Sequence, residues 1–302
     1  RHELKFPVWI NHSRAPTNIW SPRRPNVTGG DDPQSTVYHT GHWSQMGTVY
    51  FGRGQTTAVL GQDTWPNPFR AVTSARSRNL RNAGIAGIKL AVSPAIPKWR
   101  RQFSNALGRE ARLKDGAKRI EILRSNWFPA GIRGGARPEA IGALLHRSLM
   151  EKLASSGGAS ILYTHLGSIP ALPAKERERL RAVLAGFVEC CADLSILVRT
   201  TAQLLDFSML RRFVRIRKIP AGGHIRLEIS LSCPDYLRNR LGGFLGESGL
   251  TIMVSSTDEP EVEICNIPEF RHTQSPTITG ERPGLWRVQF PLLFRELPPS
   301  IG

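Results

Sequence analysis

The stretch Gly157-Gly158-Ala159-Ser160-Ile161-Leu162-Tyr163-Thr164-His165-Leu166-Gly167 follows an amphipathic run and opens with a Gly-Gly break. A short apolar run comes next, and Thr164-His165 stands where that run should end. This order predicts a helix, a turn, a buried strand and a polar tip at the carboxyl end of the strand. Because α/β sheets and barrels carry their chemistry at that edge, His165 is a candidate site residue.

The segments that follow continue this alternation. Residues 139–154 and 174–191 predict amphipathic helices, residues 196–199 a short strand, and residues 202–212 a last helix. The resulting α-β-α-β-α order favours a mostly parallel sheet, either layered or closed into a barrel.

Earlier apolar runs predict further strands of the same sheet. They lie at residues 4–10, 47–52, 56–60, 86–92 and 119–123. Residues 99–112 instead predict a basic amphipathic helix, because Trp99, Phe103 and Leu107 recur at helical spacing.

The pattern changes after Arg212. Short β-rich segments, separated by Gly, Pro, Asn and Asp, replace the helical periods. This pattern is typical of an antiparallel sandwich. The predicted organisation is therefore an α/β, irregular or incomplete (β/α) barrel over residues 1–211, followed by a small antiparallel β-sandwich over residues 212–302.

Positive charge is concentrated in one segment. The chain of 302 residues carries a net charge of +17, and residues 70–152 hold 18 Lys and Arg against five acids, a net charge of +13. This excess favours contact with a polyanion through residues 70–152. The alternative is a solvated helical surface rich in Arg, since no recognised nucleic-acid motif accompanies the charge.

Two features bear on the compartment. The longest apolar candidate, residues 183–198, is interrupted by Glu189 and Asp193, so no membrane span is predicted. The four cysteines have neither zinc-ligand spacing nor the pattern of a disulfide framework. Buried thiols are expected, and a soluble protein is predicted, with a cytoplasmic location favoured.

Polar residues follow several predicted strands. They are Asn11-His12, Arg53, Arg124-Ser125-Asn126 and Thr200-Thr201. If these strands are parallel, their polar ends meet at one edge and form a cleft with Thr164-His165.

Two further motifs could supply metal ligands. Gly30-Asp31-Asp32-Pro33 is an acidic pair in a long loop, and its alternative role is an ordinary turn or helix cap. His39 and His42 are spaced to share one helix face, and their alternative is a pair of loop histidines that bond to backbone.

The motifs as a set resemble the polysaccharide deacetylase family of the glycoside hydrolase/deacetylase superfamily. The stretches that carry the resemblance are Trp9-Ile10-Asn11-His12, Gly30-Asp31-Asp32-Pro33, Tyr38-His39-Thr40, Ile161 to Gly167 and Thr200-Thr201 before Leu204-Leu205-Asp206. The resemblance implies an irregular barrel with a small trailing sandwich. It also implies a divalent metal such as zinc, and a late strand-end histidine, here His165, as the general acid.

The chain departs from this family pattern in two places. The family's metal-binding histidines are spaced one residue wider than His39 and His42, and its acid-bearing first strand would lie before Arg1. Either the chain lacks the first part of its barrel, or the fold has lost the metal chemistry and kept a carbohydrate cleft.

The leading functional hypothesis is metal-assisted removal of acyl groups from a polysaccharide. His165 would be the catalytic acid, and the metal would lie near His12, Asp32, His39 and His42. The predicted substrate-binding residues are Asn11, Arg53, Arg124, Ser125, Asn126, Tyr163 and Thr164. The alternative is a non-catalytic module, on a degenerate barrel, that binds a polysaccharide, an oligosaccharide or another polyanion. Nucleic-acid binding by the basic segment is a third hypothesis.

Overall fold

The computed structural model of the chain describes residues 5–12, 15–19, 29–57, 59–64, 88, 95, 104–125, 141–164, 166–221, 224–248, 250–256, 259–265, 277–282 and 285–290. The chain divides into two compact units, Arg1–Leu204 and Leu205–Gly302. The division falls within a helix at Thr201–Phe213, a few residues before the predicted boundary.

The first unit is built on a mostly parallel sheet. Its strands are β1 (Val8–Ile10), β2 (Tyr50–Gly52), β3 (Thr56–Thr57), β4 (Gly108–Arg112), β5 (Lys118–Ile122) and β6 (Arg124–Ser125). The main sheet has the order β1-β2-β5-β4, in which β1, β2 and β5 are parallel and β4 is antiparallel to β5. A second, two-stranded sheet pairs β3 with β6 in parallel.

The central strands β2 and β5 are covered on both faces, although one face of β5 carries the buried Arg119 and Glu121. Tyr50 and Phe51 of β2 are fully buried, and so are Ile120 and Ile122 of β5. Strands that are covered on both faces are characteristic of parallel sheets in α/β proteins. Against one of these faces, Trp43, Ile19 and Leu113 pack around Phe51.

The helix predicted over residues 99–112 is wrong where the chain is described. Residues 108–112 form β4, which pairs residue by residue with β5 through a hairpin that turns at residues 113–117. Arg109 and Ala111 are partly buried whereas Glu110 and Arg112 are exposed, which is the alternation of an edge strand.

The helices follow the predicted alternation with one break. They are α1 (Ile141–Leu144), α2 (Arg147–Ser156), α3 (Ala174–Asp193) and α4 (Thr201–Phe213), with short 3-10 turns at Thr40–His42 and Leu166–Ala171. The single helix predicted over residues 139–154 is split, because His146 has extended backbone angles and its ring accepts a bond from the Ser148 amide to begin α2.

Residues 157–164 form a turn and then a segment that runs across Gly61 and Gln62, rather than a strand. Gly157 ends α2 in the left-handed conformation, with φ of 61°. Ala159 makes an isolated antiparallel bridge to Gln62, and the Ser125 amide donates to the Ile161 carbonyl at 2.8 Å. Ile161 is buried, but residues 161–164 form no strand. No strand forms at residues 196–199 either.

The fold class is therefore mixed α/β, as predicted. The sheets of the described ranges are not closed into a barrel, so the barrel stays a prediction. A core of Leu60, Leu144, Leu149, Met150 and Cys190 forms where α2 and α3 meet. No helix among the described residues is long and apolar enough to cross a membrane.

The second unit contains two three-stranded sheets and a helix. The elements after α4 are β7 (Val214–Ala221), β8 (His224–Leu231), α5 (Asp235–Ser248), β9 (Leu250–Ser255), β10 (Glu261–Cys265), β11 (Thr277–Arg282) and β12 (Leu285–Phe290). The sheet orders are β10-β8-β7 and β11-β12-β9. Because β10 pairs with β8 in parallel, the prediction of a purely antiparallel sandwich is wrong.

Helix α5 was missed, although its sequence carries a signal. Leu237, Leu241 and Leu245 are fully buried and recur every four residues, as expected for one face of a helix. Gly242 and Gly243 interrupt the pattern and are typical of a turn, which conceals this stripe. Arg240 of α5 makes a two-pronged ion pair with the buried Asp206 of α4.

Gly158 packs closely against the backbone of Gly61, and a substitution can test this close approach. A Cβ at this position would lie 2.5 Å from the backbone carbonyl carbon and oxygen of Gly61. We expect Gly158→Ala to lower the free energy of unfolding, because neither backbone can move without disturbing the bridge to Gln62. Urea unfolding would measure this.

The control is Gly186→Ala on the exposed side of α3, where an added Cβ meets nothing within 4 Å. It should leave stability unchanged or raise it by up to about 1 kcal/mol. A Gly158→Ala variant as stable as the parent protein would contradict the close approach of the Gly158 and Gly61 backbones.

Candidate ligand site at the carboxyl edge of the parallel sheet

Three parallel strands end at the same edge of the first unit. Ile10 pairs with Gly52 at the ends of β1 and β2, and Phe51 pairs with Glu121 near the end of β5. The residues that follow, Asn11-His12, Arg53-Gly54 and Arg124-Ser125, define what we call the carboxyl edge. The opposite, amino edge is marked by the β4–β5 hairpin, because that hairpin leads into the start of β5.

A buried carboxylate lies directly behind this edge. The side chain of Glu121 is completely buried, and Arg53 donates to its two oxygens at 2.8 and 3.0 Å. Arg109, opposite Glu121 on β4, donates to the same carboxylate at 2.9 Å. Burial alone would raise the pKa of Glu121, but the hydrogen bonds and charges of the two arginines outweigh it and hold that pKa below its ordinary value.

The guanidinium of Arg53 is therefore bonded mainly to a residue of the sheet. Its side chain is 10% exposed, two of its nitrogens bind Glu121, and its guanidinium lies 5.3 Å from the Phe51 ring centroid. The structure places Arg53 at the predicted edge, but it gives the side chain a structural partner there.

Asn11 is also held by internal contacts. Its side-chain amide donates to the Ile19 carbonyl at 2.9 Å, and its oxygen accepts from the Ile19 amide at 2.9 Å. Asn18 binds the backbone of His12 in the same manner. These bonds fasten the end of β1 to the loop that follows, and the His12 side chain stays exposed.

Ser125 faces the interior rather than a cleft. Its hydroxyl donates to the side-chain oxygen of Gln62 at 2.7 Å, and both residues are buried. The Gln62 amide nitrogen in turn donates to the carbonyls of Ala106 and Leu123. This network joins segments that are distant in sequence, so Ser125 has a positioning role at the edge.

Arg124 and Tyr163 form the accessible centre of the edge. The guanidinium carbon of Arg124 lies 4.3 Å from the centroid of the Tyr163 ring, which is the geometry of a cation–π contact. Gly54 lies on another side, since a Cβ built there would be 3.5 Å from an Arg124 nitrogen. Burial holds the pKa of Arg124 below its ordinary value, although the charge of Tyr163 acts in the opposite direction. Both side chains, like that of Thr164, are partly exposed.

The predicted metal ligands are not brought together. The ring of His39 packs 4.3 Å from Trp9, accepts a bond from the Trp43 indole at 3.1 Å and lies 2.7 Å from the Thr17 carbonyl. Since a carbonyl can only accept, the second ring nitrogen carries the proton, and neither nitrogen has a lone pair free for a metal ion. His42 is exposed, and the two histidines lie at the two ends of a short 3-10 turn rather than on an α-helix.

Asp32 lies at the amino edge, two residues after Gly30, whose carbonyl accepts from the His39 and Thr40 amides. It forms a partly exposed ion pair with Lys114 of the β4–β5 hairpin at 3.0 Å. Bonds from Lys114 and from the Gln34 amide lower the pKa of Asp32. Within the described ranges no group of three or more His, Cys, Asp or Glu could hold a metal ion. His12, Asp32, His39 and His42 thus do not fit a metal site in this arrangement.

Two predicted residues and most of the basic segment lie outside the described residues. The two residues are Asn126 and His165. Of the basic segment 70–152, the structure describes only residues 88, 95, 104–125 and 141–152. The prediction of polyanion contact by that segment stays a prediction.

Two residues central to the edge were missed from the sequence. Glu121 lies inside the predicted strand 119–123, and a lone acid within an apolar run is a signal of a buried ion pair. Gln62 carries no comparable signal, because a glutamine beside glycine is ordinary in a loop.

Comparisons with protein-family models, with curated proteins and with solved structures find no match to this chain. The resemblance to polysaccharide deacetylases therefore stays a prediction, carried by the quoted motifs alone.

The Glu121 ion pairs predict both a stability loss and a pH dependence. Glu121→Gln should lower the free energy of unfolding by about 3–5 kcal/mol at neutral pH, because two arginines lose a buried partner. The pKa of Glu121 is lowered in the folded protein, so its contribution is present above the ordinary pKa of a glutamate and is lost as the pH falls through the lower, folded value. Urea unfolding from pH 7 to pH 3 should show the gap between parent and variant closing in acid.

The matched control is Glu110→Gln on the neighbouring strand. Glu110 pairs with Lys118 where both side chains are about half exposed, so we expect a change below about 1 kcal/mol. Equal losses of stability in the two variants would show that the buried Glu121 ion pairs stabilise the sheet no more than an exposed ion pair does.

Proposed function

We propose that this chain is a carbohydrate-active protein that binds a polysaccharide at the carboxyl edge of the β1-β2-β5 sheet. One observation carries the proposal. Parallel strands deliver their ends to a single edge, where Arg124, Tyr163 and Thr164 are partly exposed and His12 is exposed. In open α/β sheets this edge is where ligands bind.

The chemistry of the edge suits a polyhydroxylated ligand. A guanidinium and hydroxyl groups supply donors and acceptors, and the Tyr163 ring supplies an apolar surface. The side chains behind them are fixed by the bonds of Asn11, Ser125 and Glu121, so the edge is organised before a ligand arrives. Binding without catalysis is the function that these contacts support best.

Removal of acyl groups from the polysaccharide is the second candidate. It is favoured by the Thr164-His165 motif and by the contact of the preceding Tyr163 with Arg124. Among the described residues no group of three or more His, Cys, Asp or Glu could hold a metal ion for this reaction.

Tyr163 provides the test of polysaccharide binding. Tyr163→Ala should weaken the affinity for acetylated and deacetylated oligosaccharides about fivefold to thirtyfold, because an aromatic contact worth about 1–2 kcal/mol is lost. Isothermal titration calorimetry would measure this. The control is Tyr38→Phe, which removes a hydroxyl bonded to Asp115 at the amino edge and should leave the affinity unchanged. Equal affinity for the Tyr163 variant and the parent would count against this site.

The catalytic candidate has its own test in acetate release from an acetylated oligosaccharide. If it is correct, the purified protein releases acetate and His165→Ala does not. His39→Ala should instead lower thermal stability, because its ring bonds to Trp43 and Thr17 are lost, and it should leave the metal content measured by elemental analysis unchanged. Absence of acetate release from the parent protein, with and without added zinc, would leave binding as the function.

A further inference from the structure

Arg124 has no acidic partner in the part of the chain that the structure describes. Its contacts there are the Tyr163 ring, the neighbourhood of Gly54 and backbone pairing with β3. Arg53, which follows β2 at the same edge, instead binds a carboxylate with two nitrogens. The two arginines therefore lie near the same edge but have different partners.

The acids of the first unit are already engaged or exposed elsewhere. Glu121 is bound by Arg53 and Arg109, and Asp63 accepts from the Leu107 amide. Asp31, Asp32 and Asp115 all bond to the hairpin at the amino edge or to residues held against it. Outside the described residues the sequence of this unit contains only two acids, Glu3 and Glu139, so carboxylates are scarce.

The stacking geometry prepares Arg124 for a ligand. A guanidinium stacked on a ring keeps its N–H groups in the plane, where they can meet an oxyanion with two parallel hydrogen bonds. The ring also restricts the long side chain, so less conformational entropy is lost on binding. Partial burial disfavours an unpaired charge, as the lowered pKa of Arg124 reflects, and an incoming anion would relieve that cost.

We propose that Arg124, stacked on Tyr163, binds the oxyanion of an acidic sugar residue, so that the ligand is an acidic polysaccharide. This inference rests on the proposed function and narrows its substrate class. The oxyanion is a carboxylate in a uronic-acid polymer or a sulfate ester in a sulfated one, and the experiment separates the two.

The experiment compares matched polymers that differ only in charge. Calorimetry in about 0.15 M salt, which limits long-range attraction, would use polygalacturonate and its methyl ester, and dextran sulfate and dextran. We expect the parent protein to prefer the charged member of at least one pair. Arg124→Gln should lower affinity for that charged polymer about tenfold to a hundredfold and leave affinity for its neutral counterpart unchanged, and Arg124→Lys should restore part of the loss.

The control for general attraction to a basic protein is Arg112→Gln. Arg112 is exposed and lies at the end of β4 next to the hairpin, so the variant removes the same charge at the amino edge. It should bind every polymer as the parent does. Equal losses for Arg112→Gln and Arg124→Gln would overturn the inference, because the attraction would then be unspecific.

The remaining outcomes separate the two proposals. If the parent protein binds the charged and neutral members of both pairs equally well, the proposal of an acidic ligand is wrong. The proposal of polysaccharide binding is then unaffected. No binding to any of the four polymers overturns both. Thermal melting of each variant checks folding, and if Arg124→Gln does not fold, the comparison of matched polymers on the parent protein still decides.

Discussion

The first unit depends on one buried carboxylate shared by two arginines. Glu121 stands in the central strand β5, where water is excluded, and neither its own charge nor that of Arg53 would be tolerated there alone. Arg109 comes from the antiparallel strand β4 and Arg53 from the end of the parallel strand β2. The ion pairs thereby hold β2 and β4 in fixed positions along β5. They help to set the register in which the strands reach the carboxyl edge.

This constraint also determines which side chains remain for a ligand. A chain with a net charge of +17 has too few carboxylates to pair each arginine, and the buried one is already shared by two. Arg124, next to the same edge, stacks on Tyr163 instead. The scarcity of acids therefore leaves Arg124 without a carboxylate among the described residues, and the Tyr163 ring is its partner instead.

Much of the fold follows from local pattern, and the errors have a common cause. The strands around Tyr50 and Ile120 were predicted because their apolar runs are short and continuous. Strand β4 was mistaken for a helix because its pairing with β5, a contact between strands, overrides a helical spacing in the sequence. Helix α5 was missed because two glycines hide a stripe of buried leucines. In these two cases tertiary contacts decided against the local signal.

For the site residues, the sequence predicts their positions after strands but not the partners of their side chains. The sequence placed Asn11, Arg53 and Ser125 after strands, and the structure brings their strands to one edge. Their roles depend on partners far along the chain, since Gln62 lies 63 residues from Ser125 and Glu121 lies 68 residues from Arg53. No local pattern contains those distances. The stretch after α2, predicted as a strand, matters for a different reason: its extended course carries the Tyr163 ring onto Arg124, so it shapes the edge without joining a strand ladder there.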